Sequence, residues 1–221
     1  MPHPFTLLES VPTPEGLLEL RQRGDRDFMI SIGGQVLMTS VLRSSEIELA
    51  QRGCDRLVER AGARVLIGGL GLGFTLRAAL DALPQDAQVV LAELNPVVVR
   101  WCRGPLAVLT NNSLADARVT VVERNVIKLL RDVAERPAEP RFDAIIWDLY
   151  RGPGSDRDDR LYGLTSLQRT HRSLSPGGVF AVWGEERDRV FEDRLTRCGF
   201  TIERTHSSGK GTKHALYIAV K

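Results

Sequence analysis

Asp148 closes the strand-like run Phe142-Asp143-Ala144-Ile145-Ile146-Trp147, where a carboxylate must face a cleft, find a partner or suffer desolvation. At such a place it could hold a cationic sulfonium or ammonium group. Tyr150, two residues further on, belongs with it on the side from which an acceptor would approach. Upstream, Gly69, Gly71 and Gly73 alternate within Val65-Leu66-Ile67-Gly68-Gly69-Leu70-Gly71-Leu72-Gly73-Phe74. Glycines so spaced reach dihedrals closed to other residues and let a ligand approach the backbone closely. The dinucleotide fingerprint GxGxxG would need glycine where Phe74 stands, so this GxGxG turn suits an adenosine-type ligand without a pyrophosphate. Glu93 follows about twenty residues later, where a carboxylate can accept hydrogen bonds from both ribose hydroxyls. Asn125, after the next apolar run, offers an amide to an adenine edge.

These residues need a scaffold that brings strand ends together, and the pattern from Arg64 onward supplies one. Strand patterns at 65–68, 88–93, 119–123, 142–148 and 179–183 alternate with helical patterns at 74–83, 97–102, from 126 onward and at 161–174. Such alternation predicts a mostly parallel sheet with crossover helices, and the ligand of such a sheet lies beyond the carboxyl ends of its strands. A glycine-rich turn is expected at 175–178 and a closing antiparallel pair at 200–203 and 214–220, with 207–213 as its hairpin turn. Residues 1–16, with four prolines, read as an irregular arm. Three short strands follow at 17–23, 27–32 and 35–39, the last two joined by Gly33-Gly34, a hairpin signal. The chain therefore divides into an arm with a small β-meander over 1–42 and a catalytic α/β domain over 43–221, whose first helix opens at Ser44-Ser45-Glu46.

Thirty basic residues against twenty-eight acidic ones give a net charge of +2, which offers no general attraction to nucleic acid. No apolar run approaches the length of a membrane span, and the start Met1-Pro2-His3-Pro4-Phe5 lacks a signal pattern, so a cytoplasmic protein is expected. Cys54, Cys102 and Cys198 are isolated and read as reduced thiols. The four histidines are scattered, so no metal site is expected.

The glycine turn, Ala92-Glu93-Leu94-Asn95-Pro96, 118–125, 142–148 and Leu174-Ser175-Pro176-Gly177-Gly178-Val179 together resemble the spermidine synthase family. The likeness runs in order over about residues 27–221 and extends upstream through Gly34-Gln35 to Ser44-Ser45-Glu46. It implies a Rossmann-like sheet of the class I AdoMet-dependent methyltransferase type and a homodimer. It also implies an S-adenosyl donor held by Gln35, Gly69, Gly71, Gly73, Glu93, Asn125 and Asp148, with Glu46 and Tyr162 toward the acceptor, where Arg151 in the following loop would also stand. The sequence departs from the family at Leu72, where an aspartate that helps hold the aminopropyl ammonium is usual. It departs again at Arg151, where a second aspartate assists the attacking amine, and at Ser44 and Ser45, in place of tyrosine and histidine. With those contacts gone, the leading expectation is methyl transfer from S-adenosyl-L-methionine to a small-molecule or peptide acceptor, with Asp148 and Tyr150 at the reacting centre. Arg151 would suit an anionic group on that acceptor. The alternatives are an aminopropyltransferase using decarboxylated S-adenosyl-L-methionine on an unusual acceptor, and a non-catalytic AdoMet-binding module.

Overall fold

Alternation along Gly16–Arg23 (β2) and Asp27–Ile32 (β3) puts Leu18, Leu20, Phe28 and Ile30 on one face, and all four are buried. In the computed structural model, which describes residues 4–136, 138–149, 159–206 and 214–221, these strands lie between Thr6–Thr13 (β1) and Gln35–Thr39 (β4). The four form an antiparallel sheet in the order β1-β2-β3-β4. The expected irregular arm is thus largely a strand. Its Pro12 is accommodated because β1 is an edge, where a missing N–H breaks no central ladder. A clamp ties β1 to the rest of the chain. Glu9 pairs with Arg100 and accepts from Trp101 Nε1 at 2.7 Å, both on the helix Pro96–Arg103 (α3).

The main sheet contains Arg64–Gly68 (β5), Gln88–Glu93 (β6), Val119–Glu123 (β7), Phe142–Trp147 (β8), Leu174–Gly184 (β9), Thr201–His206 (β10) and Ala215–Val220 (β11). Their order is β10-β11-β9-β8-β5-β6-β7, with β9, β8, β5, β6 and β7 parallel and β11 and β10 antiparallel to their neighbours. This is the mostly parallel α/β sheet expected, with a small antiparallel N-terminal sheet.

Its two faces read directly from the strand period. Val65, Ile67, Leu91, Ala144, Ile146 and Ala181 pack with Leu49 and Ala50 of Ser44–Cys54 (α1) and Leu76, Ala79 and Leu80 of Phe74–Ala82 (α2). Leu66, Ile145, Trp147, Phe180 and Val182 face the other way. They pack with Leu129 and Leu130 of Val126–Glu135 (α4), Leu167 of Leu164–Ser173 (α6) and Phe191 and Leu195 of Arg189–Arg197 (α7).

Two sequence expectations need correction here. The single helix expected over 161–174 is two, Asp159–Tyr162 (α5) and α6, divided at Gly163. The expected turn at 175–178 lies inside β9: the register slips between Phe142↔Leu174 and Ala144↔Val179, so the Pro-Gly-Gly residues form a bulge. They are held there by the chain's end, Gly177 N donating to Lys221 O and Lys221 N to Gly178 O. The hairpin turn expected at 207–213 falls outside the described residues, and among the described residues no helix is long and apolar enough to cross a membrane.

Candidate functional site

The strand order turns back between β5 and β8. After β5 the chain builds outward through β6 and β7, then returns to lay β8 on the other side. Loops leaving the two strands diverge there and open a crevice at their carboxyl ends. One of those loops is the glycine turn and the other begins with Asp148.

The turn is glycine-rich for reasons visible in the coordinates. Gly69, Gly71 and Gly73 have φ of +91°, +52° and +84°, a region that side-chain-bearing residues rarely enter. Gly69 also passes directly over the Asp148 backbone, leaving no room for a Cβ. Gly73 precedes α2, so the helix begins at the crevice with its N-terminal amides.

Glu93 is buried, and its two oxygens hold the turn in place: Oε2 accepts from Leu70 N at 2.8 Å and Oε1 from Asn95 N at 2.7 Å. Burial pushes its pKa up, while those backbone amides pull it down. The expected ribose acceptor is therefore already a brace between two loops, and a ribose would meet only its remaining lone pairs. Cys102 braces the turn from below, its Sγ lying 3.3 Å from Gly71 O, and its buried thiol is pushed up to about 12. Glu93→Gln should leave an amide NH2 facing a backbone N–H. That costs about 1–3 kcal/mol, read as an earlier urea midpoint together with weaker nucleoside binding.

Asn125 caps α4: its Oδ1 accepts from Ile127 N at 2.9 Å and Lys128 N at 3.3 Å, leaving only Nδ2 to offer an adenine. Gln35 is exposed at the start of β4. The register slips between Ile30↔Met38 and Ser31↔Val36, making Leu37 an extra residue and putting Gln35 and Met38 on the same face of the sheet. That face covers the glycine turn, since a Cβ at Gly71 would come within 2.5 Å of the Met38 methyl carbon. Met38 is a roof that the sequence pattern does not reveal.

Asp148 receives a hydrogen bond from Thr75 Oγ1, 2.5 Å from its Oδ2, and Thr75 sits in the first turn of α2. Burial and the nearby negative charge of Glu46 push the Asp148 carboxyl up to about 7, with the Thr75 bond opposing them. Glu46 stands in the first turn of α1 and is itself held by Ser45 Oγ at 2.6 Å from Oε2. The fold thus brings a second carboxylate, from a distant segment, within electrostatic reach of Asp148. Tyr162 is elsewhere: it is 1% exposed, with its ring edge-on to Trp147 and Phe191 at 5.7 and 5.4 Å, so the ring belongs to the aromatic core. Tyr150 and Arg151 lie outside the described residues. Among the described residues no group of three or more His, Cys, Asp or Glu side chains could hold a metal ion.

Residues 57–192, more than half of the chain, match the model of the spermine/spermidine synthase domain. The chain belongs to the spermine/spermidine synthase family. Among curated relatives, the polyamine aminopropyltransferase of Mycobacterium tuberculosis (strain ATCC 25618 / H37Rv) is 38% identical over 122 residues, 55% of this chain and 23% of that protein. The polyamine aminopropyltransferase of Synechococcus sp. (strain JA-2-3B'a(2-13)) is 30% identical over 119 residues, 54% of this chain and 36% of that one. The chain therefore matches well under half the length of these relatives. The spermidine synthase of Thermotoga maritima superposes with a TM-score of 0.77 at 19% identity, over 97% of this chain and 72% of that one. A spermidine synthase in complex with the transition-state analogue AdoDATO gives 0.74 at the same identity and coverage. At that identity the two structures speak for the fold.

These findings overturn methyl transfer as the leading reading, because the family and its named relatives are aminopropyl-transferring. The physical reason lies at position 72. Leu72 is 2% exposed and packed in the core, so its presence removes one carboxylate from the crevice without filling the crevice. Asp148 and the Glu46 charge that acts on it remain, and carboxylates there favour cations whatever stands at position 72.

Proposed function

We propose that this chain transfers an aminopropyl group from decarboxylated S-adenosyl-L-methionine to an amine acceptor of the polyamine class. The observation that carries the reading is the Asp148 carboxyl, held by Thr75 and raised to about 7 by burial and by the charge of Glu46. An alkyl ammonium is not a nucleophile; it must lose a proton before its lone pair can attack the carbon next to the sulfonium. A carboxylate with a pKa near neutrality can take that proton while still ionised in a useful fraction of molecules. In the displacement the new C–N bond forms as the C–S bond breaks. The sulfonium leaves as a neutral thioether, and the product leaves as a secondary ammonium that keeps its remaining two N–H protons, while the base returns its one proton to water. The same anionic mouth favours a donor without an α-carboxylate over S-adenosyl-L-methionine itself.

Calorimetric titration with the two donors, followed by mass spectrometry of a series of diamines incubated with the decarboxylated one, tests this. Tighter binding of the decarboxylated donor and a product heavier by one aminopropyl group are expected. Binding of S-adenosyl-L-methionine alone would sink the reading. Removing the Glu46 charge should lower the pKa of Asp148, so Glu46→Gln should move the acid limb of the rate profile to lower pH. An unmoved limb would separate Glu46 from the base.

A further inference from the structure

An open cavity of about 630 Å³ lies where the β2–β3 turn, the end of α3 and the segment 107–112 meet. Arg26, Arg77 and Arg103 line it together with Thr110, Asn111 and Asn112, and no acidic residue does. We infer that this cavity is a binding site for a phosphate-class oxyanion, distinct from the donor site.

Charge is the first reason. Arg77 is paired with Asp81 at 2.5 Å, yet its Nε is buried with no hydrogen-bond partner. The other carboxylate that feels Arg77, Asp116, is bonded to Arg118 at 2.8 Å. Arg26 and Arg103 are exposed and make no ion pair among the described residues, so the cavity keeps an excess of positive charge. Three planar guanidinium groups converging from three segments suit an oxyanion, which each can engage through two N–H groups.

Backbone geometry is the second reason. Asn111 and Asn112 have φ of +50° and +54° and are the two non-glycine residues in the left-handed region among the described ones. Two consecutive side-chain-bearing residues in this sparsely populated region make a constrained turn at the cavity wall, the kind of backbone that gathers at ligand sites. The segment also reaches the glycine turn. A Cβ at Gly73 would lie 3.2 Å from Thr110 Cγ2, so the cavity wall rests against the glycine turn. The oxyanion is either free phosphate or the phosphate group of a larger molecule.

The test is calorimetric titration of the whole chain with sodium phosphate and with glycerol phosphate, against sodium chloride at matched ionic strength. Saturable one-site binding of at least one phosphate compound is expected, weakened at least about tenfold in Arg26→Gln/Arg103→Gln. Tighter binding of glycerol phosphate identifies a phosphate monoester, and tighter binding of phosphate the free ion; either supports the site. Circular dichroism checks that the double variant is folded, and Arg103→Gln alone, expected to weaken binding by a smaller factor, replaces it if not. A response no different from chloride overturns the inference, as does undiminished phosphate affinity in the folded variant.

Discussion

Asp148→Asn is expected to lower turnover by about two to four orders of magnitude, the range associated with a positioned general base, while leaving the protein at least as stable as before. The two halves of this expectation come from one fact. The carboxyl is raised from its ordinary 3.8 to about 7 by burial and by Glu46. Between those values the folded chain holds a proton that the unfolded chain has released, so stability falls as pH rises through that window. Above about pH 7 the whole cost of burying the ionised group is present. Asparagine has no such proton to lose and still presents an oxygen to Thr75. Thermal melts should therefore show the variant level with the parent in mild acid and above it at alkaline pH. The rate profile of the parent should show an acid limb near the raised pKa that vanishes in the variant. A variant that melts earlier than the parent at alkaline pH would mean the ionised carboxylate holds the fold together, and a variant with full activity would remove it from the chemistry.

The outline of the fold was legible because its signals are local. Strand and helix periods from Arg64 onward locate the elements of the parallel sheet, and Phe74 in place of a fourth glycine separates this turn from the dinucleotide type. The failures have physical causes that a local pattern cannot carry. Prolines at positions 12 and 14 suggested an arm, but an edge strand has N–H positions to spare. Residues 175–178 have turn chemistry, yet Lys221, next after β11, pairs with Gly177 and Gly178 and keeps them in β9.

At the proposed site, the places of Glu93 and Asn125 at strand ends are legible in the sequence, but their partners are not. Each side chain is occupied with backbone amides of its own loops, Leu70 and Asn95 for one, Ile127 and Lys128 for the other. Met38 reaches the glycine turn only through a β-bulge, and Thr75 looks like one more residue in the first turn of a helix. The coupling of Glu46 to Asp148 depends on α1 packing across β8, which joins segments far apart in the sequence.

Gly69→Ala is expected to destabilise the protein more than the corresponding change at Gly71, and to abolish donor binding. At φ +91° an alanine is strained wherever it stands, and here the new methyl group would overlap the Asp148 carbonyl oxygen, with the carbonyl carbon 3.1 Å away. The Asp148 N–H is hydrogen-bonded to Gly68 O at 3.0 Å, which ties this residue to β5, so relief requires turning the peptide that follows Asp148 or prising β5 and β8 apart at the crevice. Backbone strain and overpacking at about 1–3 kcal/mol each sum to about 2–6 kcal/mol, a fall in melting temperature on the order of 10 °C for a chain of this size. At Gly71 the obstacle is the Met38 thioether, 2.5 Å from the methyl position, and a methionine side chain has three torsions through which to retreat. Gly71→Ala should therefore cost mainly its strain, about 1–3 kcal/mol, and weaken donor binding by displacing the roof. Melting curves and donor titrations of both variants decide the matter. Equal losses at the two positions would show that the close passage of Gly69 over Asp148 does not hold the crevice in shape.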